Sequence, residues 1–224
     1  IGKKIHKKNK IGIFPNLILI INRYLKLKSK INIGFANKNA LPYWERNSWK
    51  GLTEFPLINK QLKRNYKFKC TYSKIRTFKS IHEEIFKKNI LTNIDILWTK
   101  EFSNWRYFLN PRSKYKVFNI EYKKNVVGYV VLKEYVKKEQ RIGHICQLVC
   151  DKSLTEDVIK FCMNYFFDRS FDNLSMWKIN NLSLYVDKLG FKKKFVEKNK
   201  FIYKGDFLLN KSYWNLSMSY SDVY

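Results

Sequence analysis

One pattern of residues recurs along this chain at a fixed offset, and it constrains the fold more than any other feature. Asn39, Tyr43, Glu45, Arg46, Trp49 and Lys50 reappear in kind as Asn181, Tyr185, Asp187, Lys188, Phe191 and Lys192, and both 39 to 181 and 43 to 185 span 142 residues. The stretch upstream keeps the same register, with Leu17, Ile20, Ile21 and Tyr24 lying over Ile159, Cys162, Met163 and Phe166. These positions run i, i+3, i+4, i+7, one face of an α-helix. Two adjoining elements in one ungapped register predict a fold presented twice.

The chain has 224 residues, 45% of them hydrophobic and 17% aromatic, enough to bury one core or two small ones and too apolar for wholesale disorder. A net charge of +27 suits a polyanionic partner, nucleic acid or an anionic surface. The joint enrichment in Lys, Asn, Ile, Tyr and Phe also fits AT-rich codon usage, which gives the charge a second origin. Cys70, Cys146, Cys150 and Cys162 contain no C-x-x-C pair and read as reduced, buried thiols of a cytoplasmic protein. His144, Cys146 and Cys150 fall on one side of an extended segment. Three side chains along one straight strand cannot close a tetrahedron, so no metal site is expected.

Lys3, Lys4, Lys7, Lys8 and Lys10 precede the apolar run Leu17–Ile21 in the manner of a signal peptide. Pro15 and Asn16 interrupt the approach, no small-residue cleavage site follows, and Arg23, Lys26 and Lys28 come too soon. The run is also far shorter than the roughly 20 apolar residues that span a bilayer, so no transmembrane segment is expected.

Local patterns predict a basic loop over 1–12, a helix from about Pro15 to Lys30, a strand over 31–35, and a helix over 37–47. Strand and loop follow to Cys70, then a helical connector from Thr71 to Asn93. Three strand-like runs, 115–122, 126–135 and 141–150, lead to a helix over 154–169, capped by Ser153 or Thr155 with Glu156 and Asp157 in its first turn. A strand over 174–177, a helix over 180–189 stopped by Gly190, and a closing hairpin of 193–197 with 201–204 complete the pattern. Leu174 and Met176 fall one position out of phase with Ile31 and Ile33. The first unit lacks the three strands that open the second, and the chain begins with Ile1. It is therefore expected to hold the back half of one domain (1–72), a connector (73–95) and a whole second domain (96–224).

The order β-β-β-α-β-α-β-β, with Asn181, Tyr185, Gly190 and Phe191 spaced as Asn-x-x-x-Tyr-x-x-x-x-Gly-Phe, resembles the GNAT acyl-CoA N-acyltransferase superfamily. Asn39, Tyr43 and Trp49 carry a decayed copy with Ser48 in the glycine position. The tandem is similar to the double-domain acyltransferases, both the bacterial surface-polysaccharide enzymes and the Fem-like peptidoglycan enzymes. Trp105-Arg106-Tyr107 with Pro111 and Tyr115, the turn Gly34–Asn37, and the tail Trp214–Asp222 point to the polysaccharide branch. The resemblance implies an α/β (α+β) fold, a mixed central sheet flanked by helices, in two copies of which the N-terminal one is incomplete.

It also implies acetyl-CoA, or another acyl-CoA, held by its pyrophosphate on the loop before the main helix, where unpaired N–H groups and the helix dipole favour an anion. Lys8, Asn9, Lys10, Ile11, Gly12 and Ile13 occupy that loop in the first copy and keep only the middle glycine of the family pattern; Asn39 completes the implied cofactor set. No acid occurs before Glu45, whereas Asp151, Glu156 and Asp157 crowd the equivalent helix start in the second copy. Electrostatics therefore favours the first copy for CoA and leaves the second as a substrate-side or structural domain. A solvated lysine run is the alternative.

Transfer to an amine needs a proton acceptor, a donor to the carbonyl oxygen and a proton for the leaving thiolate. Tyr43, and Tyr185 in the second copy, stand where the family's proton-donating tyrosine stands; core packing is the other use of such a residue. Trp105, Arg106 and Tyr107 form either a wall for a small amine acceptor such as an amino sugar or sugar nucleotide, or a core corner with a surface arginine. A basic nucleic-acid-binding protein without catalysis is the main competing reading. A Fem-like tRNA-dependent aminoacyl transferase is a third, disfavoured by the short connector.

Overall fold

The computed structural model describes residues 13–28, 31–37, 39–53, 57–63, 65–89, 96–111, 114–137, 139–178, 183–194, 200–205 and 217–220. The loop expected over 1–12 lies outside them. The chain groups into two compact units, 1–55 with 197–211, and 56–196 with 212–224.

The first unit opens with helix α1, Ile13–Lys28, whose first turn holds Pro15 and no acidic residue. Strand β1 (Ile31–Ala36), helix α2 (Leu41–Arg46) and strand β2 (Lys50–Thr53) follow. The sheet has three strands, with β10 (Lys200–Gly205) in the middle and antiparallel to both β1 and β2. Ala36, Trp49 and Ile202 form its buried core, with Leu41 and Trp44 packed on them. The Trp44 and Trp49 rings meet edge to face at 4.7 Å, and Trp49 Nε1 donates to Asn22 Oδ1 of α1 at 3.1 Å. One aromatic cluster thus ties helix to sheet, and its indole N–H is satisfied as burial demands.

The second unit carries a seven-stranded sheet in the order β4-β5-β6-β7-β8-β3-β9. Its members are β3 (Leu57–Gln61), β4 (Thr71–Ile75), β5 (Tyr115–Tyr122), β6 (Asn125–Lys137), β7 (Gln140–Cys150), β8 (Asn173–Trp177) and β9 (Lys192–Lys194). All neighbours are antiparallel except β7 and β8. Helices α3 (Ser80–Lys88), α4 (Lys100–Asn104, continued by a π turn over Trp105–Leu109), α5 (Thr155–Phe167) and α6 (Ser183–Lys188) complete it. α5 buries Val158, Ile159, Cys162, Met163 and Phe166, the face that the i, i+3, i+4, i+7 pattern predicts. Gly143 on β7 makes room for it, since a Cβ there would lie 2.5 Å from the Phe166 ring.

Three expectations need correction. Thr71–Ile75 is not the start of a helical connector but the edge strand β4, held to β5 and by a stacked Tyr72–Phe161 pair at 3.7 Å. The closing hairpin does not form. β9 pairs with β3 in one sheet and β10 pairs with β1 and β2 in the other, so the segment between them leads from one unit to the next. The β5–β6 turn, expected from the sequence around Lys124-Asn125, falls one residue earlier, on Lys123 and Lys124, both at positive φ.

Elements of the two units correspond by position. α1 and α5 begin at 13 and 155, β1 and β8 at 31 and 173, α2 and α6 at 41 and 183, β2 and β9 at 50 and 192, each pair 142 apart. The stops of α2 and α6 match as well. Ser48 (φ +66°) and Gly190 (φ +73°) share the left-handed conformation. Trp49 N donates to Trp44 O and Phe191 N to Val186 O, the same closing bond in each. β3 sits between β8 and β9, as β10 sits between β1 and β2. The phase mismatch of Leu174 and Met176 has a simple cause: β8 is buried along Leu174–Trp177, so no alternation is required of it.

Candidate functional site

The one parallel pair in the described residues, β7 with β8, is in register only over Ile142–His144 against Asn173–Ser175. β7 then runs on to Cys150 without pairing to β8. Just past the last pair, the β6–β7 register slips between Val131/Gln147 and Leu132/Ile145, leaving Cys146 as the extra residue of a bulge. A bulge bends and twists its strand, so β7 turns away from β8 and the sheet opens towards the start of α5. At the last paired position, His144 Nδ1 and Ser175 Oγ share a 2.6 Å hydrogen bond between buried side chains. Burial, then the Lys133 charge, holds the imidazolium pKa down at about 4, so His144 is neutral at pH 7. Beyond it, the buried Gln147 accepts through Oε1 from Tyr107 Oη at 2.6 Å.

Carboxylates crowd the helix start at the mouth of this opening. Asp151 Oδ1 accepts from Ser153 N at 2.8 Å and Ser153 Oγ at 2.6 Å, and Asp151 O accepts from Leu154 N. These bonds hold the Asp151 carboxyl below its ordinary pKa. Glu156 pairs with Lys160 and Lys188, which lower its pKa too. Asp157 takes the backbone N–H groups of Lys69 (2.6 Å) and Cys70 (2.8 Å), fastening that segment to α5. Ser153 N and Leu154 N are thus occupied, and three carboxylates stand around the start of α5, where their charge repels an anion. The equivalent start of α1 has no acid in its first turn.

Of the residues singled out from sequence, Lys8, Asn9, Lys10, Ile11 and Gly12 lie outside the described residues. Ile13 is the first residue of α1. Asn39 sits in the exposed turn before α2, its N–H on Asn37 Oδ1 at 3.1 Å. Tyr43 is exposed on α2 with the Arg46 guanidinium 6.0 Å from its ring centre, and Tyr185 is half-buried on α6. Asn39 and Tyr43 therefore share the first unit, and Tyr185 belongs to the second. The triplet on the π turn divides three ways. Trp105 is exposed beside Phe102 (5.8 Å), Arg106 is buried with Nη2 on Ser219 O at 3.0 Å, and Tyr107 is core, stacked on Trp98 at 5.6 Å.

Sequence reasoning missed the His144–Ser175 and Tyr107–Gln147 pairs. Each joins distant segments, and only the presence of the polar residues His144 and Gln147 within an otherwise strand-like run hints at them. The cysteines offer no nucleophile. All four are buried, and burial raises the thiols of Cys146 and Cys150 to about 12. No group of side chains suited to a metal ion occurs among the described residues. Nor is any helix among them long and apolar enough to cross a membrane.

A mixed sheet flanked by helices, with one parallel pair that opens ahead of a helix, matches the fold of the GCN5-related N-acetyltransferases. A GCN5-related N-acetyltransferase from Anabaena variabilis is similar at TM-score 0.64 and 10% identity, over 84% of this chain and 49% of its own. A conserved protein of unknown function from Enterococcus faecalis V583 gives 0.56 at 9% identity, over 85% and 48%. The N-myristoyltransferase of Saccharomyces cerevisiae, solved with bound myristoyl-CoA, gives 0.52 at 9% identity, over 72% and 55%. The chain thus spans about half the length of these structures. No family model and no curated protein matches the sequence.

Proposed function

We propose that this chain is an acyl-CoA-dependent N-acyltransferase, or part of one, built from two copies of the GNAT fold with the N-terminal copy incomplete. The copies meet between β3 and β4 rather than through a separate connector over 73–95, since β4 and α3 belong to the second unit, and each copy lends its last strand, β3 or β10, to the sheet of the other unit. Element bounds at one offset and the shared stop geometry of Ser48 and Gly190 support this reading.

The observation that carries the functional assignment is the contrast between the two helix starts. In the second copy Asp151, Glu156 and Asp157 set negative charge around the helix start; in the first no acid stands in the opening turn of α1. We therefore assign the donor, acetyl-CoA or a longer acyl-CoA, to the first copy through Lys8–Ile13, and the acceptor side to the second. The amine nitrogen attacks the thioester carbonyl and the C–S bond breaks; Tyr43 gives its proton to the leaving sulfur and regains one, through solvent, from the proton that the new amide nitrogen sheds. Its exposure on α2 suits that role. The acceptor is a small amine, an amino sugar or sugar nucleotide of polysaccharide synthesis, with the exposed Trp105 as a stacking face.

Calorimetric titration with acetyl-CoA tests the assignment. Binding by the parent that Gly12→Asp abolishes is the expected result. Equal binding by parent and variant overturns the placement, and a folded parent that takes up no acetyl-CoA or longer acyl-CoA overturns the function.

A further inference from the structure

At the opposite end of β8 from the opening, the second unit has a cavity of about 450 Å³ lined by Asn59, Lys60, Gln61, Lys63, Asn173, Gly190, Lys192 and Lys193. Its volume lies in the range of small-ligand sites. Four of its eight lining residues are lysines, and no acid lines it. Lys60, Lys63 and Lys192 form no ion pair among the described residues, whereas Lys87, Lys100, Lys160, Lys178 and Lys188 all do. Crowding uncompensated ammonium groups in a concavity raises their mutual repulsion, which an anion relieves.

The strand pairing builds this arrangement. β3 lies between β8 and β9, with Asn59 opposite Lys192 and Gln61 opposite Asn173, so side chains from three strands meet at one sheet end. Gly190, at φ +73°, brings the loop after α6 within reach: a Cβ there would lie 2.9 Å from Lys60 Nζ. A second observation points to a ligand with more than charge. Asn59 Nδ2 donates to Asn173 Oδ1 at 3.0 Å, and Asn59 Oδ1 is left buried with no partner. A buried acceptor without a donor is costly, and a ligand hydroxyl would satisfy it.

We propose that this cavity binds the phosphates of a nucleotide-sized ligand, with a ligand hydroxyl on Asn59 Oδ1. Lysines serve non-planar phosphate as point charges, and the Asn173 and Gln61 amides add directional donors. A concavity of this size, open to solvent on one side, suits a small phosphorylated molecule better than the extended track a nucleic acid requires. The site is independent of acyl transfer, so it stands or falls apart from the acetyl-CoA assignment.

The test is calorimetry with ADP, UDP and adenosine at low salt. ADP and UDP are expected to bind alike and adenosine not at all, since the phosphates are what is recognised. Lys60→Glu/Lys192→Glu is expected to weaken both nucleotides by more than tenfold, about 1.4 kcal/mol. The milder Lys60→Gln/Lys192→Gln guards against misfolding and should weaken both in the same direction. Lys74→Glu/Lys88→Glu, the same charge change outside the cavity, should leave them unaffected. Equal nucleotide binding by the parent and both cavity variants overturns the proposal. So does an oligonucleotide that binds while free nucleotides do not.

Discussion

Helices α1 and α5 carry the same apolar face and meet different fates. Leu17, Ile20, Ile21 and Tyr24 are 50%, 63%, 39% and 63% exposed, while Ile159, Cys162, Met163 and Phe166, each 142 residues later, are fully buried. Pattern alone does not bury a helix face; something must cover it. Strands β5, β6 and β7 precede α5 in its unit, and α5 packs on β7 and β8. Among the described residues the α1 unit has no counterpart of those three strands. Of α1's described side chains, Ile18 alone is buried. Each large apolar side chain left in water forgoes roughly 1.5–3 kcal/mol, so the first unit has much less to lose than the second.

The largest expected effect breaks that symmetry directly. Phe166→Ala, at a fully buried site packed on Gly143, should cost about 3–5 kcal/mol in denaturant unfolding. Tyr24→Ala at the corresponding position should shift stability by no more than about 0.5 kcal/mol. Comparable losses at both would mean that the α1 face is covered as well.

Acid should strike the second unit first. His144 is neutral in the fold, with its pKa depressed from 6.5 to about 4, so the unfolded chain takes up the proton more readily. Stability is therefore complete above about pH 6.5 and falls as pH drops from 6.5 towards 4, by about 3 kcal/mol in all. Unfolding followed across that range should show the loss, and His144→Gln should flatten the curve.

The two sheets also differ in how tightly they hold a glycine. A Cβ on Gly128 of β6 would lie 2.4 Å from Val149 O, a backbone atom that cannot step aside, so Gly128→Ala should cost about 1–3 kcal/mol. On Gly34 of β1 the nearest neighbour would be 3.8 Å away, and Gly34→Ala should be close to neutral in the same assay. The smallest effect concerns the paired helix stops. Ser48 pays for a left-handed conformation that Gly190 adopts freely, so Ser48→Gly should stabilise and Gly190→Ser destabilise, each by about 1 kcal/mol. Opposite signs in thermal melts would sharpen the correspondence of the two units; equal signs would weaken it.

Much of this fold was legible from local pattern. The 142-residue register is a repeat visible in the sequence itself, and the helix faces and the long strands 115–122, 126–135 and 141–150 follow from periodicity that a single segment carries. Pairing does not. β9 and β10 look like a hairpin because they are adjacent in sequence, yet their partners lie more than a hundred residues upstream. β4 hid in a mixed-charge stretch because an edge strand buries little and needs little alternation. The same limit applies to the site. The acids at 151, 156 and 157 announced a negatively charged helix start, because the charge of a first turn is read locally. That Asp157 instead holds Lys69 and Cys70, that Arg106 is buried on Ser219, and that His144 meets Ser175 depend on contacts between distant segments.

Hydrogen exchange with and without acetyl-CoA tests the contrast between the two helix starts most directly. The account predicts slowed exchange in peptides covering residues 8–20, at the start of α1, and no change over 151–160. Protection over 151–160 with none over 8–20 would contradict it, because the donors that Asp151 occupies would then have been the ones that bind.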